Sequence, residues 1–195
     1  FNMIIAIATF FALFNFCYIK LWKKHSDKVP TGIGVFLFVP CFFYFFQYNV
    51  SIFNVVFIFI LSTLYFLDDL KGISFIWRII FQIIASLIVF SFFSDGNIFL
   101  LLCNIITFVI LVNVLNFQDG EDLNIALLLV IIFLVFYFFS KNETVQITSK
   151  IVLLFLLIFS CFNLKKNFLF FGDSGCFFVT IIIFLFAYTE MYNEK

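Results

Sequence analysis

Residues 98–122 read IFLLLCNIITFVILVNVLNFQDGED. The first twenty carry no charge, and a run of that length is what an α-helix needs to cross a bilayer at about 1.5 Å per residue. Where the run ends, two asparagines three apart, Asn113 and Asn116, share one helix face. The chain then turns through Asp119-Gly120-Glu121-Asp122. Apolar runs with compact polar groups at or beside their ends recur at Leu67–Gly72 and Phe171–Gly175.

Reading outward by the same rule gives spans at 3–19, 34–46, 50–67, 75–93, 98–117, 123–139, 145–162 and 176–188. The expectation is an all-α, polytopic integral membrane protein of about eight transmembrane helices, one domain over 1–195. The break at Gln47-Tyr48-Asn49 decides the topology, because one long tilted helix across it would invert everything downstream. Composition agrees with the pattern. Hydrophobic residues make up 65% and charged residues 11%, against about a quarter charged in soluble domains. The balance of 11 basic and 11 acidic residues removes the footprint of a nucleic-acid binder. The five cysteines have no zinc or CxxC spacing and read as packing residues. The apolar run from Phe1 has no basic leader, so no signal peptide is read there.

With eight spans, Lys20, Lys23, Lys24, Lys28, Lys71, Arg78, Lys165 and Lys166 fall on one side. Lys141, Lys150 and Lys195 fall on the other. The positive-inside rule makes the first side cytoplasmic. Asp27, Asp68, Asp69, Asp119, Glu121, Asp122 and Asp173 lie on that same side, although the rule does not place acids there. A carboxylate near hydrocarbon is costly unless it faces protein, water or a cation, so the clusters suggest a site for a hard cation or a phosphate.

Each cluster has an ordinary reading beside the functional one. Asp68-Asp69 before Lys71 and Gly72 is either a solvated loop or a carboxylate pair that divides catalytic work. Asn113 and Asn116 either bond between helices or, with the acids after them, offer oxygen ligands to magnesium. Gly172-Asp173-Ser174-Gly175 is either a turn with a helix cap or a loop whose backbone approaches phosphate oxygens at a helix N-terminus.

Together and in this order the motifs resemble the polyprenyl-phosphate N-acetylhexosamine-1-phosphate transferase superfamily. The residues that carry the resemblance are Asp68-Asp69 with Gly72, Arg78 with Gln82, the set Asn113, Asn116, Asp119, Gly120 and Asp122, and the set Phe170, Gly172, Asp173 and Gly175. The resemblance implies transfer of a sugar-1-phosphate from a UDP-sugar to a polyprenyl (undecaprenyl) phosphate at the cytoplasmic face of the inner membrane, releasing UMP. It implies Mg²⁺, with Mn²⁺ as a substitute, and allows a homodimer. By resemblance Asp173 and Asn116 are magnesium ligands and Asp68 and Asp69 are catalytic carboxylates. The same resemblance implies that Asn113, Asp119, Asp122, Gly172 and Lys71 bind substrate.

The pattern departs from the family at Leu123, where a second Gly is usual, at Cys176, where Ser or Thr is usual, and in Pro30-Thr31-Gly32-Ile33-Gly34. Relatives are expected to continue into further spans and a His-rich loop, which His25, the only histidine, does not replace. The alternatives are an inactive remnant that binds lipid phosphate or Mg²⁺, and a small cation transporter. Against the transporter, the acids sit at helix ends and not at mid-membrane. A CDP-alcohol phosphotransferase is set aside because its Asp-Gly-x-x-Ala-Arg pattern is missing after Asp119-Gly120.

Overall fold

The computed structural model describes residues 2–25, 28–47, 52–91, 97–121, 123–164 and 168–193. Among the described residues there is no strand, and the α-helices are eight: α1 (Asn2–His25), α2 (Phe38–Gln47), α3 (Ile52–Lys71), α4 (Phe75–Ser91), α5 (Ile98–Asp119), α6 (Asn124–Phe139), α7 (Glu143–Asn163) and α8 (Asp173–Asn193). Each contains or largely overlaps one expected span. A 3-10 helix, Ile33–Leu37, leads into α2. The described parts of α2 and α3 run in opposite senses along α8, with Tyr44 bonded to Leu185 near one end and Asp69 bonded to Asp173 at the other, while the expected break at Gln47-Tyr48-Asn49 runs into residues 48–51, which lie outside the described residues.

Side-chain placement explains why apolar helices assemble with an apolar outside. On α5 the inward stripe is Ile105, Phe108, Val112, Leu115 and Asp119, spaced three and four apart. Leu102, Ile106, Ile110, Val114 and Phe117 point outward and are exposed. A stripe of exposed leucine, isoleucine and phenylalanine is untenable in water and ordinary in lipid, so this is a polytopic membrane protein. Ile5–Lys24, Ile98–Asp119, Glu143–Asn163 and Asp173–Met191 are long and apolar enough to cross a membrane, and Phe75–Phe90 and Asn124–Phe139 are shorter apolar helices. The second expected span is shorter still, since α2 has 10 residues and rises only about 15 Å. The 3-10 helix before it supplies the rest.

The core is α8, buried almost continuously from Cys176 to Ile182 and packed against α3, α5 and the 3-10 helix. The pairs α6/α7 and α4/α5 pack as antiparallel neighbours, and α1 and α2 lie on α7. The phenylalanines that look merely lipophilic in the sequence fill this core ring against ring, both stacked and edge on. Phe177 stacks on Tyr65 of α3 at 4.3 Å and meets Phe108 of α5 edge on.

Close approach at the head of α8 depends on glycine. A Cβ on Gly34 would lie 2.6 Å from the Gly175 Cα, and a Cβ on Gly172, whose φ is +89, would lie 2.3 Å from the Gly32 nitrogen. Through these contacts the Gly34 N–H donates to the Phe171 carbonyl (2.9 Å) and the Phe170 N–H donates to the Pro30 carbonyl (2.8 Å). The first loop is thereby tied to the start of α8, with backbone meeting backbone as small residues permit in membrane helices.

Gly172→Ala is expected to lower the thermal unfolding midpoint in detergent far more than Gly72→Ala. Both positions have positive φ, but nothing lies within 4 Å of a Cβ on Gly72, so that variant carries only the backbone strain of about 1 kcal/mol. Equal shifts for the two variants would contradict the close-packing account.

Candidate active site

The carboxylates far apart in sequence meet at one end of the bundle, where α3, α5 and α7 end and α4, α6 and α8 begin. The α3 to α4 turn builds the first part. Gly72, with φ +73, ends α3 in the left-handed conformation, and its N–H returns to the Asp68 carbonyl at 2.7 Å. The Asp68 carboxylate accepts from the Ile73 N–H, and the Ser74 carbonyl opens α4. The turn folds Arg78, on the first turn of α4, back over Asp68.

Arg78 then joins two carboxylates. Its Nε lies 2.7 Å from Asp68 Oδ2 as an ion pair off the N–H axis, while the same Nε–H donates to the Ile73 carbonyl at 3.3 Å. Its Nη1 donates to Asp173 Oδ2 at 2.5 Å. Its main-chain carbonyl accepts from the Tyr65 hydroxyl at 2.8 Å. Asp68 is buried, whereas the side chains of Arg78 and Asp173 are 30% and 18% exposed, so solvent reaches the group from their side.

The other two aspartates serve the backbone. The Phe171 and Gly172 N–H groups donate to the two oxygens of Asp119 at 2.8 and 2.7 Å. The Asp173 and Ser174 N–H groups donate to Asp69 at 2.8 and 3.2 Å, and the Ser174 hydroxyl adds a third bond at 2.6 Å. Four consecutive amides at a helix N-terminus, where the dipole favours negative charge, are thus held by carboxylates from α3 and α5. The amides read from the sequence as phosphate receivers are already donors, and the cap of α8 comes from another helix.

Of the residues singled out in the sequence, Asp68, Asp69, Asp119, Gly172 and Asp173 come together here. Asn116 of α5 lies beside the Asp173 carboxylate and interacts with it. Asn113 lies nearly one turn deeper, where its amide donates to Gln82 of α4 at 2.9 Å and to its own helix at Val109. Lys71 is exposed at the end of α3. Asp122 lies outside the described residues. The sequence reading left Tyr65 and Asn163 unmentioned and offered Ser174 only as a helix cap within the glycine loop. It noted Gln82 only as part of a resemblance and Arg78 only there and in the charge count, although their spacing of four puts both on one face of α4. Asn163 joins two loops, accepting from the Leu123 N–H at 2.6 Å and donating to the Leu169 carbonyl at 2.7 Å.

Among the described residues no three His, Cys, Asp or Glu side chains form a group able to hold a metal ion by themselves. The donor chemistry still fits magnesium. Asp68 and Asp173 share one guanidinium, so two carboxylates offer hard oxygens at one partly open spot, with the Asn116 amide beside Asp173. Mg²⁺ is commonly held by one or two carboxylates, with substrate phosphates and water completing its shell.

A family model described as Glycosyl transferase family 4 matches residues 51–190, well over half of the chain. No curated protein and no solved structure matches it.

The matched region includes Leu123, a non-glycine residue at φ 65 just before α6. The left-handed conformation costs a branched residue about 1–2 kcal/mol and glycine almost nothing, so the unusual leucine is locally strained. Leu123→Gly is therefore expected to raise stability in detergent by about 1 kcal/mol, read as a higher thermal midpoint. A lower midpoint would show that leucine packing outweighs the strain.

Proposed function

The chain belongs to glycosyl transferase family 4, whose members are membrane glycosyl-phosphate transferases, and from this we propose that it moves an N-acetylhexosamine-1-phosphate from a UDP-sugar to a polyprenyl phosphate. In this reaction a phosphate oxygen of the lipid attacks the β-phosphorus of the UDP-sugar. The bridging P–O bond breaks and its electron pair leaves with UMP. The observation that best supports the reading is the convergence of Asp68, Asp173, Asn116 and Arg78 on one partly open spot at a bundle end.

An anionic nucleophile approaching an anionic diphosphate meets strong repulsion, so the chief requirement is positive charge at fixed positions. Magnesium, when bound, would supply Lewis-acid neutralisation of the diphosphate oxygens. Asp173, Asn116 and Asp68 would hold it, and Mn²⁺ would serve in its place. Asp69 and Asp119 would act as positioning residues that fix the 171–174 loop and so the direction of Asp173. Gly172 would contribute its close backbone approach, and Asn113 the register of α5 against α4 through Gln82. Lys71 would meet the nucleotide-sugar at the rim, and Asp122 would bind it by the family pattern alone.

Sidedness follows from charge. The bundle end that carries the site also carries Lys20, Lys23, Lys24, Lys28, Lys71 and Arg78, while Lys141 and Lys150 lie toward the other. The site would therefore face the cytoplasm from the inner membrane, where UDP-sugars are available.

The test is UMP release from UDP-GlcNAc by purified protein with undecaprenyl phosphate in detergent. Magnesium-dependent release is expected, with Asp173→Ala reducing kcat at least about 100-fold at unchanged thermal stability. Full activity in Asp173→Ala, or turnover unaffected by chelation, would overturn the assignment.

A further inference from the structure

The proposed reaction leaves one arrangement unexplained: the spot where the carboxylates of Asp68 and Asp173 converge is spanned by the guanidinium of Arg78. Nε lies 2.7 Å from Asp68 and Nη1 lies 2.5 Å from Asp173. Two aspartates aimed at one point repel each other strongly in a partly buried setting, and a planar fork with two donor edges is the side chain suited to bridge them. Asp69 and Asp119 are hydrogen-bonded by backbone N–H groups, and among the described residues Arg78 is the basic side chain that the structure pairs with this acidic group. The guanidinium is 30% exposed and sits on the first turn of α4, where rotation about its long stem carries it outward without moving backbone.

We infer that Arg78 is the built-in counter-ion of the site, which a divalent cation displaces from Asp68 and Asp173, and which is then released toward the phosphates of the substrate. The inference rests on the transferase reading for the identity of those phosphates, but the exchange itself needs no substrate. Before the cation arrives, Arg78 keeps the two carboxylates together and correctly directed. Afterwards the freed guanidinium is a bidentate phosphate ligand at the mouth of the site, so positive charge is gained at the place where the diphosphate must bind. Binding of cation and of phosphate is thereby coupled, because each favours the outward position of one side chain.

Two measurements with Mn²⁺ and no sugar nucleotide test this. In the wild-type protein, phenylglyoxal modification of Arg78, followed by peptide mass spectrometry, is expected to be slow without metal and to accelerate several-fold when Mn²⁺ is added. Mn²⁺ binding, followed by loss of the free-ion electron paramagnetic resonance signal, is expected to tighten about tenfold in Arg78→Met. In Arg78→Lys, which keeps the charge and loses the fork, it should tighten by a smaller factor. A modification rate that Mn²⁺ leaves unchanged or slows overturns the exchange, whatever the variants do. So does an Arg78→Met affinity equal to or weaker than wild type. Absence of Mn²⁺ binding in every form overturns it together with the cation dependence of the proposed reaction. Binding with no displacement removes this inference alone.

Discussion

Four amides in a row, from Phe171 to Ser174, are held by two carboxylates that belong to other helices. In an apolar bundle there is little water to satisfy the N-terminal N–H groups of a buried helix, and leaving them unpaired costs several kcal/mol. Asp119 and Asp69 meet that demand from opposite sides. In doing so they fix where α8 starts, how α3 and α5 stand against it, and where Asp173 points. Hydrogen bonds to a charged acceptor contribute about 1.5–3 kcal/mol each, so the junction ranks with the aromatic core as a source of order. The glycines of the first loop complete it, since only residues without a Cβ let residues 32–34 lie against 171–175.

This division of labour explains how a site rich in acids persists at the edge of a membrane. Two aspartates are hydrogen-bonded by backbone amides and two share one arginine, and what remains exposed is a small, directed set of oxygen donors. The site is consequently rigid where α8 begins and adjustable at Arg78, which is the arrangement expected of a centre that must exchange charge with a phosphorylated ligand.

Much of this is written in the chain, but not all in the same way. Spans are legible because lipid imposes length and polarity, and the stretch at 98–117 is present as α5. Boundaries shift where polar residues remain good helix formers. α1 runs on through Lys20, Lys23 and Lys24, and α7 begins at Glu143 because Asn142 caps it. α8 starts at Asp173, three residues before hydropathy alone suggests, because its cap is supplied by Asp69 across the bundle. That the three acidic clusters belong to one place is legible from their shared side and order. Which aspartate bonds backbone and which faces Arg78 is not, since aspartates at helix ends look alike until the helices are packed. Asn163 belongs to no motif, and its role depends on two loops 40 residues and six residues away meeting at one amide.

The central claim is that carboxylates clamp the head of α8, and amide hydrogen exchange at residues 171–174 tests it most directly. The account predicts slow exchange at these four amides in the wild-type protein. It also predicts selective acceleration at Phe171 and Gly172 in Asp119→Asn, and at Asp173 and Ser174 in Asp69→Asn. Fast exchange at all four amides in the wild-type protein, or no change in either variant, would contradict it.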